Sequence, residues 1–248
     1  MQEWTQLVLL FGLGAIGGFI NVSAGGGSSL TVPMLIFLGL DGALANGTNR
    51  VAIVIQNAFA VASFKKRDMG EFRLSGRLAL LTLPGSVLGA ILAVRLSDGW
   101  FQKILGVIMI GIVLSMFLSS SRKKSWSEHE TPSPWVYPAL FAIGFYGGFI
   151  QVGVGFLLMA ALYHLLRVNL VKVNMHKVFI ILVYTIPALA VFILNGKVNW
   201  VYGLILAGGN AVGAWWGAHM TVKGGEKAIR IVLIAAILIM AVKLLGIF

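Results

Sequence analysis

Apolar residues run along this chain in long blocks, separated by short polar or glycine-rich segments. Runs such as Val51 to Phe64, Leu78 to Val94 and Ile229 to Leu245, taken with their flanks, approach the length a helix needs to cross a bilayer. The blocks predict helices at about 5–22, 28–39, 43–64, 74–96 and 99–118, and again at about 136–152, 156–166, 173–194, 199–220 and 226–246. Between the two sets lies a polar stretch with Arg122-Lys123-Lys124 and two prolines. The expected organisation is a first membrane repeat at 1–118, a cytoplasmic linker at 119–135 and a second membrane repeat at 136–248.

The two sets echo each other in residues as well as in plan. Gly14-x-x-Gly17-Gly18-Phe19-Ile20-Asn21-Val22 returns as Gly144-x-x-Gly147-Gly148-Phe149-Ile150-Gln151-Val152. Gly85-Ser86-Val87-Leu88-Gly89-Ala90 matches Gly209-Asn210-Ala211-Val212-Gly213-Ala214. Gly-interrupted hydrophobic segments at corresponding places in two halves point to a transporter and its binding site. The helix expected at 28–39 would rise only about 18 Å, against a hydrocarbon core of about 30 Å. Each Gly-broken pair is therefore expected to be a re-entrant hairpin followed by three full spans. The alternative is that 5–22 spans fully and 28–39 tilts or kinks across. Three is odd, so the repeats should be inverted, with their breaks approaching each other near the midplane. The fold class expected is an all-α integral membrane protein of two inverted repeats.

Composition agrees, at 58% hydrophobic and 11% charged residues, too apolar for a soluble domain. The net charge of +11 reads as orientation rather than nucleic-acid binding, because Lys and Arg gather on cytoplasmic loops. No RNP, helix-turn-helix or zinc-finger pattern is present. About fourteen of the nineteen basic residues fall on one side of the expected topology, including the loops near 65–73 and 119–135. Met1-Gln2-Glu3-Trp4 lacks the basic start of a signal peptide, so the first helix is expected to belong to the fold. Zero cysteines exclude a disulfide scaffold or a thiolate metal site.

The sharpest local signal is Ser23-Ala24-Gly25-Gly26-Gly27-Ser28-Ser29-Leu30-Thr31-Val32-Pro33. Consecutive glycines let a backbone turn and expose its N–H groups, and Ser28 or Ser29 could cap the helix that follows. Free N–H groups at a helix start favour an anion without any charged side chain. The second copy, Gly153-Val154-Gly155-Phe156-Leu157-Leu158, has neither hydroxyls nor proline, so the first tip is expected to bind and the second mainly to pack.

Asn46-Gly47-Thr48-Asn49-Arg50 and its counterpart Asn174-Met175-His176-Lys177 place polar and cationic groups inside otherwise apolar helices. Ionisable residues there are costly and usually functional, unless a long side chain snorkels to the interface. His176 is either a proton acceptor or a hydrogen-bonded structural histidine. Gln56, Asn57, Tyr184, Asn210 and His219 are more often glue between helices. The series Gly209, Gly213, Gly217 and the pair Gly85, Gly89 have close-packing spacing, and Trp4, Trp100, Trp126, Trp135 and Trp200 read as interfacial anchors. No Asp or Glu falls inside a predicted span, and no HExxH, GxSxG, Walker A or paired-carboxylate motif occurs. An enzyme or an ATP-driven pump is thereby disfavoured, and no cofactor is implied. A core with cations, amides and hydroxyls but no carboxylate prefers an anion.

The Gly14-x-x-Gly-Gly-Phe-Ile start, the Gly25-Gly26-Gly27-Ser28-x-Leu30-x-Val32-Pro33 break and the Asn46-Gly47-Thr48-Asn49 helix start together resemble the TauE/SafE sulfite exporter family. The resemblance covers nearly the whole chain, and departs from the family pattern at Gly155-Phe156-Leu157-Leu158-Met159. It implies a multi-pass protein of the bacterial plasma (inner) membrane that carries sulfite, a sulfonate or a related small anion. The leading expectation is a secondary exporter of a small sulfur-containing anion by alternating access. A proton- or sodium-coupled importer of a related anion such as thiosulfate, and an anion channel, are the alternatives. The residues expected to meet substrate are Asn21, Ser23, Gly25, Gly26, Gly27, Ser28, Ser29, Thr48, Asn49, Arg50, Gln56, Gln151, His176 and Lys177. Lipid is the other partner, no nucleic acid is expected, and homo-oligomerisation is left open.

Overall fold

The structure, a computed structural model, describes residues 3–23, 25–66, 72–118, 133–167 and 170–220. Among these the chain is helical, with no strand: α1 (Glu3–Ser23), α2 (Ser28–Phe37), α3 (Gly42–Lys65), α4 (Phe72–Arg95), α5 (Asp98–Leu118), α6 (Val136–Phe149), α7 (Val154–Ala161), α8 (Leu170–Leu194) and α9 (Trp200–Met220). A π-helical turn, Leu162–Leu166, extends α7 and ends at Arg167 in the left-handed region. The helix expected at 226–246, most of the linker and the side chain of His219 lie outside the described residues.

Among the described residues three helices are long and apolar enough to cross a membrane: Trp4–Ser23, Arg73–Arg95 and Lys172–Leu194. The 24 residues of α3 would reach about 36 Å, but its first half is polar and buried. Asn46, Thr48, Asn49 and Arg50 are buried there, and Gln56 and Asn57 are buried further along the helix. Large apolar side chains such as Leu80, Leu88, Val107, Leu114, Ile186 and Trp216 are exposed instead. This polar-in, apolar-out arrangement suits a lipid solvent, which offers no hydrogen bonds to a polar group facing it. Trp4, Trp100, Trp135 and Trp200 are exposed at or beside helix ends, where interfacial anchors belong.

Both Gly-broken pairs have a short second helix. At 10 and 8 residues, α2 and α7 rise only about 15 and 12 Å. Their first helices differ: α1, at 21 residues, is long enough to span, whereas the 14 residues of α6 are too few.

The helices pack across the two halves more than within them. The first helix of each half lies against the fourth of the other, α1 on α9 and α6 on α4. Glycines make both contacts possible. Gly209 and Gly213 meet the backbone of Phe11 and Ala15 of α1, and Gly85 and Gly89 meet that of Phe141 and Phe145 of α6. The register advances in the same sense on both partners, so each pair is parallel. Small residues let helix backbones approach this closely in a membrane.

The remaining pairs fix the relation between the halves. Along α3 and α9, Thr48 pairs with Asn199 and Gln56 with Asn210, so these helices are parallel. Along α4 and α8, Ser75 meets His176, while Ala90 and Ala93 cluster with Ala188 and Phe192, so these are parallel too. On α3 and α8 the order reverses. Arg50 lies over the ring of Phe192, and Ala60 clusters with Val178. Corresponding helices therefore run in opposite directions, α3 against α8 and α4 against α9.

Candidate functional site

The site is built where the two helix breaks meet. At the end of α1 the chain turns through Gly25, whose φ of +90° suits a residue without Cβ. Its N–H donates back to Ile20 O at 3.1 Å. The second break turns at Gly153, φ +76°, after Ile150 N–H donates to Tyr146 O at 2.8 Å. The two tips touch, since a Cβ placed on Gly25 would lie 2.6 Å from the carbonyl carbon of Gly155. The ring of Phe156 packs on Gly26 in the same way. Residues 25–29 and 151–155 are all buried.

A helix that stops inside a protein leaves its last four carbonyls without intrahelical donors. In α6 all four are satisfied. Tyr146 O accepts from Ile150 N–H, Gly147 O and Gly148 O accept from Arg50 Nη2 at 2.9 and 2.6 Å, and Phe149 O accepts from Asn46 Nδ2 at 2.8 Å. The end of α1 follows the same scheme. Ile20 O accepts from Gly25 N–H, and Lys177 Nζ donates to Asn21 O and Val22 O, each at 3.2 Å. Both cations sit against the negative pole of a helix. Arg50 also donates to Gln151 Oε1 at 3.2 Å and stacks on Phe192, while Lys177 reaches Met159 Sδ at 3.8 Å. No Asp or Glu is buried among the described residues.

The start of α2 differs from the cap expected of it. Gly27 occupies the cap position and no side chain caps the helix. Ser28, within the helix, instead accepts at Oγ a long hydrogen bond from Asn49 Nδ2, at 3.4 Å. Asn49 Oδ1 accepts from Thr31 Oγ1 at 2.6 Å. Ser29 Oγ is buried with no hydrogen-bond partner, and the N–H groups of Gly26, Gly27 and Ser28 find no backbone acceptor among the described residues. The first turn of a buried helix is thus lined by donors, which is an environment suited to an anion.

The other candidates separate into groups. Gln151 lies beside Arg50, with its Nε2 donating to Tyr184 Oη at 3.1 Å and its N–H directed at Asn46 Oδ1 at 3.5 Å. Thr48 Oγ1 accepts from Asn199 N–H, and Gln56 Oε1 accepts from Asn210 Nδ2, so both join α3 to α9. Ser23 Oγ donates to Phe19 O within its own helix, and Asn21 offers its carbonyl to Lys177. His176 Nδ1 lies 2.8 Å from Ser75 Oγ, the structural alternative raised from sequence. Thr31, Asn46 and Tyr184 belong to the two clusters but were absent from the candidate set. Thr31 sits within the glycine–serine motif and Asn46 opens the one containing Arg50, so both could have been found there. Tyr184 had only its phenol at membrane depth as a signal.

Broken helices meeting in the interior, buried cations on helix ends and a lipid-compatible surface define a multi-pass membrane protein organised as a transporter. Residues 10–244 match the family described as sulfite exporter TauE/SafE, and the chain belongs to that family. It is 29% identical over 242 residues to the probable membrane transporter protein ORF9 of a Sinorhizobium species, covering 97% of this chain and 92% of that one. It is 28% identical over 240 residues to a probable membrane transporter protein of Haemophilus influenzae, covering 96% and 94%. The probable membrane transporter protein YunE of Bacillus subtilis is 25% identical over 271 residues, covering 98% and 99%. No solved structure matches the chain.

Proposed function

We propose that the chain is a secondary transporter that exports a small sulfur-containing anion, sulfite or an organosulfonate, across the bacterial inner membrane. The observation that carries this reading is the buried start of α2, where Ser29 Oγ has no hydrogen-bond partner and the amides at 26–28 find no backbone acceptor among the described residues. Asn49, Ser28 and Thr31 hold that turn against α3. An oxyanion would accept several of these hydrogen bonds at once, and the helix dipole favours its charge.

The opposed directions of α3 and α8, and of α4 and α9, support an inverted repeat, and the basic residues in the loops near 65–73 and 119–135 favour the cytoplasmic side for both. Two such halves can exchange tilts about the meeting tips and open the site to one face or the other. An interior-negative potential drives an anion outward by about 2.3 kcal/mol per charge per 100 mV, so export needs no further energy source.

Proteoliposomes loaded with radiolabelled sulfite test this directly. Saturable efflux that accelerates at interior-negative potential and is competed by an organosulfonate is the expected result. Flux equal to that of protein-free liposomes defeats the assignment, and flux that never saturates replaces the carrier with a pore.

A further inference from the structure

Arg50 and Lys177 occupy corresponding places, eight residues into α3 and seven into α8. Each reaches across to the other half. Arg50, from the first repeat, holds the carbonyls of Gly147 and Gly148 at the end of α6. Lys177, from the second, holds those of Asn21 and Val22 at the end of α1. Both side chains are fully buried, and neither has a carboxylate partner among the described residues. Their charge is met by helix-end dipoles and carbonyl oxygens. We infer that Arg50 and Lys177 are a reciprocal pair of positioning residues, each latching the broken helix of the opposite repeat, rather than ligands of the transported anion.

Three features favour latching. The carbonyls they bind are those a broken helix leaves orphaned, and an unpaired buried carbonyl is costly. The exchange is symmetric, so any tilt of one repeat against the other acts on both latches together. Most of the donors they would offer an anion are already engaged: both Arg50 Nη atoms point at Gln151 and the α6 end, and Lys177 Nζ points at two carbonyls and Met159, which leaves Arg50 Nε as the one buried nitrogen of the pair without a hydrogen-bond partner. The pair is unequal in detail. Arg50 spans two carbonyls and a glutamine under an aromatic ring, whereas Lys177 is a single ammonium. The α1 end is therefore the more easily released of the two.

The chain has no cysteine, so single reporters can be placed without background. Val22 and Val152, one at each break, are both fully buried. In the full-length protein in liposomes, Val22→Cys and Val152→Cys would each be combined with Lys177→Met and with Arg50→Met, and labelled with a maleimide. Lys177→Met should accelerate labelling at position 22 at least about tenfold and leave position 152 unchanged, and Arg50→Met should do the reverse. Acceleration at both positions in either variant, including one that fails to fold, would mean general loosening and overturn the inference. Acceleration at neither would overturn it too. This readout does not depend on which anion is carried. Sulfite flux adds a second one: Lys177→Arg should keep KM within about twofold, and the residual flux of Lys177→Met should fall in maximal rate. A tenfold rise in KM with the maximal rate kept would make Lys177 a ligand and reject the latch.

Discussion

Gly25 and Gly155, on the two helix breaks, meet backbone to backbone, and neither has room for a side chain. The contact explains why the second break keeps a glycine at 155 although it has lost the serines of the first. Gly25→Ala would add a methyl at φ +90° and drive it into Gly155. Gly39 is the control: its φ is +95°, but nothing lies within 4 Å of the added Cβ. Gly39→Ala should cost only backbone strain, roughly 1–2 kcal/mol. Gly25→Ala should cost more, seen as a larger drop in melting temperature in detergent and as loss of flux.

The α1·α9 and α6·α4 seams make a similar contrast. A Cβ on Gly213 would strike Ala15 O, and one on Gly89 would strike Phe145 O. Gly213→Val or Gly89→Val should separate the helices and reduce the folded, detergent-extractable protein several-fold. Gly12, on the same helix as Ala15, has nothing within 4 Å of an added Cβ. Gly12→Ala should stay within about 1 kcal/mol of the parent.

Asn46 Nδ2 is the donor that satisfies Phe149 O, the last carbonyl of α6. Asn46→Ala leaves that partly buried carbonyl unpaired, at a cost of about 1–3 kcal/mol. Asn195 supplies the comparison, because its amide also donates to a carbonyl, that of Val191, at an exposed helix end. Asn195→Ala should be close to neutral, since water replaces the bond. Equal melting temperatures for the two variants would contradict the role assigned to Asn46.

Much of this was legible in the residues. The repeated glycine motifs foretold two equivalent breaks and the close seams, because only small residues allow such approach and they must recur at the helical period. Arg50 and Lys177 stood out as charges at membrane depth, but their partners did not. Those partners are main-chain carbonyls in the other half of the chain, and a carbonyl carries no residue identity for a sequence to display. For the same reason the ends of α1 and α6 suggested turns rather than acceptors. The cap expected of Ser28 or Ser29 failed because Gly27 takes the cap position, which puts both hydroxyls inside the helix. Asn49, eighteen residues beyond Thr31, then recruits one of them.

Ser28 and Ser29 separate architecture from binding. Ser28 Oγ accepts from Asn49, so Ser28→Ala removes one buried hydrogen bond and should destabilise by about 0.5–1.5 kcal/mol. Ser29 Oγ has no partner, so Ser29→Ala removes a buried hydroxyl that stabilises nothing in the protein alone and should leave the melting temperature level or slightly raised. Transport should follow the opposite order. A hydroxyl donating to a charged oxyanion contributes about 1.5–3 kcal/mol, so Ser29→Ala should raise KM for sulfite by roughly 10- to 100-fold. Ser28→Ala should change it little beyond the effect of its lower stability. If Ser29→Ala transports with unaltered KM, the free donors at the start of α2 do not hold the anion, and the binding site must be sought at the Gln151 and Tyr184 cluster instead.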